Sequence, residues 1–158
     1  MSDVGYRRSR IDHKAAVLAG LIAGALFVVL EMAMVAMFLG GSPWGPPRMI
    51  AAIAMGPGVL PPPATFEPTV MMVAMLIHLG LAVALAYLFA LVVGRQSTAM
   101  AVLVGLVFGL IVYAINFYGM TTVFPWFQQG RHWVSIFAHA VFGMVLGGLY
   151  SERTLPVR

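Results

Sequence analysis

VMMVAMLIHLGLAVALAYLFALVV (Val70–Val93), the linker Gly94-Arg95-Gln96-Ser97, then TAMAVLVGLVFGLIVYAINFYGMTTV (Thr98–Val123): this stretch carries a single charged side chain, Arg95. Each run exceeds the about 20 helical residues that cross roughly 30 Å of hydrocarbon. In lipid every backbone N–H and C=O must be paired within the segment, so both runs read as helices. A linker of four residues makes them an antiparallel hairpin through a bilayer.

Two further runs, near Ala15–Leu39 and Trp133–Tyr150, are also long enough to span. Over the whole chain 61% of residues are hydrophobic and 9% charged, against about 25% charged in soluble domains. The expectation is an all-α integral membrane protein, one membrane domain over residues 1–158, folded as an up-down-up-down four-helix bundle. The first run follows Tyr6-Arg7-Arg8-Ser9-Arg10, which resembles a twin-arginine signal. Its apolar stretch is about twice a signal-peptide h-region and no small-x-small site follows, so it reads as an uncleaved anchor.

Arginine and lysine set the orientation. Arg7, Arg8, Arg10, Lys14, Arg95, Arg153 and Arg158 fall on one side, and only Arg48 and Arg131 on the other. The positive-inside rule then places both termini and the Arg95 turn in the cytoplasm. The basic residues flank apolar runs and form no patch, which argues against nucleic acid as a partner. The outer segment 40–68 holds Pro43, Pro46, Pro47, Pro57, Pro61, Pro62, Pro63 and Pro68. Proline fixes φ and lacks a donor, so this loop is expected to be irregular or PPII-like, with Arg48–Met55 as a short helix on the membrane surface. Trp44, Trp126, Phe127 and Trp133 fit an interfacial aromatic belt, with His13 and His132 also at interfaces.

The first and third runs align without a gap. Ala16-Val17-Leu18 recurs as Ala101-Val102-Leu103, Gly20-Leu21 as Gly105-Leu106, and Gly24 as Gly109. The second and fourth align with His78 on His139, Leu85 on Leu146 and Leu88 on Leu149. The bundle therefore reads as two repeated helical hairpins of like orientation, a parallel repeat. Gly20 and Gly24, Gly105 and Gly109, and Gly143 and Gly147 are GxxxG pairs that let helices approach closely; Gly80 and Ala84 are a weaker pair in the second run.

Seven residues is close to two helical turns, so Glu31 shares a face with Gly24 and Asn116 with Gly109. His139 lies one turn before Gly143, and His78 one turn before Ala82. All four polar residues sit roughly 10–14 Å below the outer surface at 1.5 Å per residue. The expectation is a buried polar cluster of Glu31, His78, Asn116 and His139. An ionisable group in a membrane costs about 2.5–3.5 kcal/mol and needs a partner or a use. As a structural network, Glu31 accepts hydrogen bonds from a histidine and from Asn116. As a cofactor site, His78 and His139 suit axial ligation of haem b, or a metal ion together with Glu31. As a proton or ion pathway, the layer lacks a continuation toward the cytoplasm beyond Tyr113 and Tyr87. Met32, Met34 and Met37 beside Glu31, and Met71, Met72 and Met75 beside His78, add a Cu(I) reading, with packing as the plainer role of methionine.

The chain has no cysteine, which removes disulfides and thiolate chemistry. No phosphate loop, carboxylate pair or nucleophile–base set is present, so an enzyme is not expected. The motifs Phe124-Pro125-Trp126-Phe127, Val134-Ser135-Ile136-Phe137 and His139 resemble the YagU-type bacterial inner-membrane proteins, over about Met71 to Tyr150. The resemblance implies a small four-helix protein of a bacterial inner membrane and carries no functional residue across. The reading is a non-enzymatic accessory or stabilising subunit of a membrane complex, or a homo-oligomer. A haem- or metal-binding protein and a small transporter or proton conductor are the alternatives.

Overall fold

The computed structural model describes residues 11–94 and 96–154. Helix α1 covers His13–Phe38, α2 Gly45–Met55, α3 Pro68–Val93, α4 Thr98–Ala114 and α5 Trp133–Thr154. Four helical segments are long and apolar enough to cross a membrane, α4 doing so with the turns that extend it to Thr122. The chain is a multi-pass membrane protein built as a four-helix bundle. The basic residues Arg7, Arg8, Arg10, Arg95 and Arg158 lie outside the described residues.

Polar side chains start the helices at the expected places. Asp12 Oδ1 accepts the Ala15 N–H at 2.8 Å, Glu67 Oε2 the Val70 N–H at 2.7 Å, and Ser97 Oγ the Met100 N–H at 3.3 Å. Each satisfies a donor that the first helical turn leaves open. The caps begin α1 and α3 about two residues before the apolar runs themselves.

The bundle is inside out relative to a soluble protein. Small residues crowd its interior, where Ala16, Ala19, Ala23, Ala86 and Ala101 are fully buried beside a few large side chains, Phe89 and Leu146 among them. Large residues such as Val29, Leu76, Leu91 and Val92 are over 60% exposed. Lipid is as apolar as leucine, so helices gain more from close backbone approach than from burying every large side chain. Helix α4 lies along α5, and α1 packs against both α3 and α5, whereas α3 and α4 barely touch.

The third span corrects the expectation of one α-helix to Val123. The α-helical ladder stops at Ala114, a π turn covers Ile115–Gly119, and a 3-10 turn covers Met120–Thr122. Side chains bind the carbonyls this irregular end releases. Arg131 Nε donates to Phe117 O at 2.7 Å, Thr121 Oγ1 to Tyr118 O at 3.0 Å, and Thr122 Oγ1 to Gly119 O at 3.1 Å.

The proline-rich connection is also more ordered than expected. Helix α2 starts at Gly45, because Pro46 and Pro47 occupy a first turn whose N–H groups need no partner. It is no free surface helix: Ala51 is buried against Val70 and Ala74 of α3. Arg48 donates to Val59 O (2.6 Å) and Thr65 O (3.1 Å), and Ser42 Oγ to Ala64 O (2.5 Å). Trp126 Nε1 donates to Met49 O at 3.0 Å, joining this connection to the one between α4 and α5. These connections form the loop end of the bundle; the Gly94 turn marks the other end.

Candidate functional site

Where α3 and α4 part, a cavity of about 310 Å³ remains. Leu81 and Leu85 of α3 form one wall and Val112 and Ile115 the other, with Phe27 and Phe142 behind. Ile50 and Ile53 of α2, with Phe124 and Phe127, close it at the loop end. Leu81 and Ile115 are each more than half exposed, so the gap opens sideways, where lipid would lie. Three polar side chains line it: His78, Asn116 and His139.

The hydrogen bonds fix how those three present themselves. His78 Nε2 lies 2.8 Å from Gly24 O, and His139 Nδ1 lies 2.7 Å from Ser135 O. A carbonyl only accepts, so both ring nitrogens carry hydrogen. His139 Nε2 is then an acceptor, and Asn116 Nδ2 stands 3.4 Å from it. At Gly24 the helices are close: a methyl there would lie 2.7 Å from Ala82 Cβ and 3.7 Å from His78 Nε2. Phe27 stacks on His78 (5.3 Å between centroids) and meets His139 edge-on (4.7 Å).

Glu31 does not join them, which corrects the expected four-residue layer. It is 5% exposed and faces α5, where Ser135 Oγ donates to Oε1 at 2.5 Å. Its other oxygen has no hydrogen-bond partner among the described residues. Neither a histidine nor Asn116 bonds it. Gly24 and Glu31 do lie near one face of α1, but crossing helices give that face different neighbours at different depths. At Gly24 the neighbour is α3, at Glu31 it is α5.

Ser135 is the buried polar residue that spacing alone left out. It is fully buried and one turn before His139, and that interval was the signal available. It also links outward: its N–H donates to His132 Nδ1 at 3.3 Å. His132, just before the span, is held below the ordinary histidine value of 6.5 by partial burial.

The metal readings lose their geometry. Among the described residues no three of His, Asp or Glu gather where they could hold a metal ion. Glu31 is turned to Ser135, and a haem between His78 and His139 would displace the Phe27 ring that packs on both. The methionines scatter. Met34 packs with Val35 and Val134, Met71 and Met75 pack near Ala51, and Met37 and Met72 are exposed.

The glycines sit at helix crossings. Methyls at Gly105 and Gly143 would overlap one another's carbonyls across α4 and α5; at Gly109 the obstacle is His139 O and at Gly147 Ala101 O. At Gly20 the nearest atom is Ala86 Cβ at 2.9 Å. Gly80 and Ala84 face outward from α3, and nothing lies within 4 Å of a methyl built on Gly80.

Fold and site together define a class: a multi-pass helical membrane bundle, welded by small residues, with a side-opening apolar cavity carrying a few polar groups. No protein-family model matches the chain, and no curated protein or solved structure matches it either.

Proposed function

We propose that this is a non-enzymatic membrane protein that takes a small, uncharged, lipid-soluble molecule from the bilayer into the cavity between α3 and α4. The cavity itself carries the reading. A largely apolar pocket of at least about 300 Å³ with a few convergent polar groups is the usual form of a small-molecule site. Its gap faces the region that dissolves such a molecule. An uncharged apolar fluorophore such as aminoanthracene should bind the purified protein, and Leu85→Trp, which fills the cavity, should abolish binding. Unchanged binding by that variant would overturn the proposal.

Self-association, or docking as an accessory subunit, is the second reading. The outward Gly80–Ala84 pair supports it, because small residues four apart suit a partner helix. In mild detergent a defined oligomer or a stoichiometric partner is expected, lost in Gly80→Leu; a lone monomer would remove this reading. We place both termini in the cytoplasm of a bacterial inner membrane. Lys14 and Arg153 lie at the Gly94 end of the bundle and Arg48 and Arg131 at the loop end, which supports that orientation. The YagU-type resemblance supports the compartment.

A further inference from the structure

We infer that the ligand of this cavity is a hydroxylated aromatic ring, a phenol or hydroquinone, that donates its hydroxyl to His78 or Asn116. The inference rests on the cavity reading above and adds the ligand's chemistry. Among the described residues no Lys, Arg, Asp or Glu lines the cavity, so none of them recognises a phosphate, a carboxylate or an ammonium group there.

The free valences say what is recognised instead. Both nitrogens of His139 are engaged, Nδ1 with Ser135 O and Nε2 with Asn116. His78 donates through Nε2 to Gly24 O and keeps its Nδ1 lone pair. Asn116 spends one amide hydrogen on His139, keeping Oδ1 and the second hydrogen. The site therefore offers two acceptors and one donor. A ligand that brings a hydroxyl hydrogen satisfies an acceptor; one that brings only acceptors leaves both lone-pair sites empty in apolar surroundings. The walls select the rest of the molecule. Phe27, Phe117, Phe124, Phe127 and Phe142 all line the cavity, and aromatic rings meet a flat ring edge-on or offset. The opening between Leu81 and Ile115 leaves a path for an alkyl tail into lipid.

Three probes with one shared decyl tail test this by calorimetric titration of the purified protein: a hydroquinone, its oxidised quinone, and its dimethyl ether. The hydroquinone should bind roughly tenfold or more tightly than either of the others, about the value of one unmade hydrogen bond. Asn116→Leu combined with His78→Phe should bring the three affinities together without weakening the ether. Leu85→Trp should abolish binding of all three. Equal affinities in the unaltered protein would overturn the hydroxyl inference while leaving the cavity reading intact. Failure of all three to bind a monodisperse, helical protein would overturn both, and so would undiminished binding by Leu85→Trp.

Discussion

The two membrane hairpins are both held at small residues, but the atoms that meet there differ. Gly20 and Gly24 of α1 meet Ala82 and Ala86 of α3, whereas at the aligned positions Gly105 and Gly109 of α4 meet Gly143 and Gly147 of α5. In the first hairpin alanine side chains hold the helices apart, with Ala82 Cβ 2.7 Å from where a methyl on Gly24 would lie. In the second, carbonyl oxygens of one helix stand where side chains of the other would be. The seams between the hairpins differ as well. Helix α1 closes on α5 through Glu31, Ser135, Met34, Val35 and Val134, while α3 and α4 stay apart and leave the cavity. One seam is thus closed by a buried polar pair and the other leaves the cavity.

The difference between the hairpins predicts opposite behaviour in a rescue experiment, and the largest effect expected in the molecule. Gly143→Ala places a methyl against the backbone of Gly105, which no side-chain deletion can relieve. It should lose about 3 kcal/mol or fail to fold, the upper part of the range for overpacking. Gly24→Ala meets chiefly the Ala82 methyl and should lose about 1–2 kcal/mol. Ala82→Gly should restore most of that loss, as a coupled pair does in a double-mutant cycle. Denaturation in detergent, followed by circular dichroism, measures all of these. Equal losses for Gly143→Ala and Gly24→Ala would erase the distinction between the hairpins.

The closed seam comes next. Ser135→Ala removes the one hydrogen bond that the Glu31 side chain makes among the described residues and should destabilise by about 1–3 kcal/mol, the desolvation cost of a buried group left unpaired. Removing both partners, as Glu31→Leu with Ser135→Ala, should be close to neutral, because two apolar groups then face one another. If the double variant is no more stable than Ser135→Ala alone, the pair does not act as a unit. The open seam has no equivalent bond to lose.

How much of this was legible follows the same division. Spans, small-residue crossings and inward faces come from composition and spacing at 3.6 residues per turn, which lipid enforces strictly. The meeting of Asn116 with His139 was within reach for that reason. The separation of Glu31 from them was not, because spacing gives a direction around one helix and says nothing of which neighbour a crossing brings there. The π turn at Ile115–Gly119 also lay beyond spacing, as did the bond that Arg131 makes to its Phe117 carbonyl from the next connection. Arg131, read in the sequence only as a topology signal, thereby bonds the same turn that carries Asn116.

That arginine gives a smaller test, because each hairpin has one at the loop end. Arg48 ties carbonyls within a long connection, and Arg131 ties the end of a membrane helix and stacks 4.4 Å over Tyr118. Arg131→Met should lose about 1–2 kcal/mol, in the range for charge-assisted hydrogen bonds that are partly solvated, and should loosen ligand binding in the cavity. Arg48→Met should lose less and leave that binding unchanged, since its carbonyl partners reach water more readily. Equal effects on binding would mean that the π turn does not shape the site.

The smallest effect separates the connections by pH. The Val70 N–H, with help from Thr69, holds Glu67 below the ordinary carboxylate value of 4.5. A carboxylate with a depressed native value stabilises the fold above its unfolded value, and that contribution is lost as pH falls through the native one. Melting temperature should therefore drop below pH 4.5 by a small margin that Glu67→Gln removes, the loss beginning at the start of α3. Amide exchange should locate it there, because the start of α5 is held by the Ser135 N–H on His132 Nδ1 and involves no carboxylate. Simultaneous loosening of both helix starts would show that the two connections melt as one unit, joined through Trp126 and Met49.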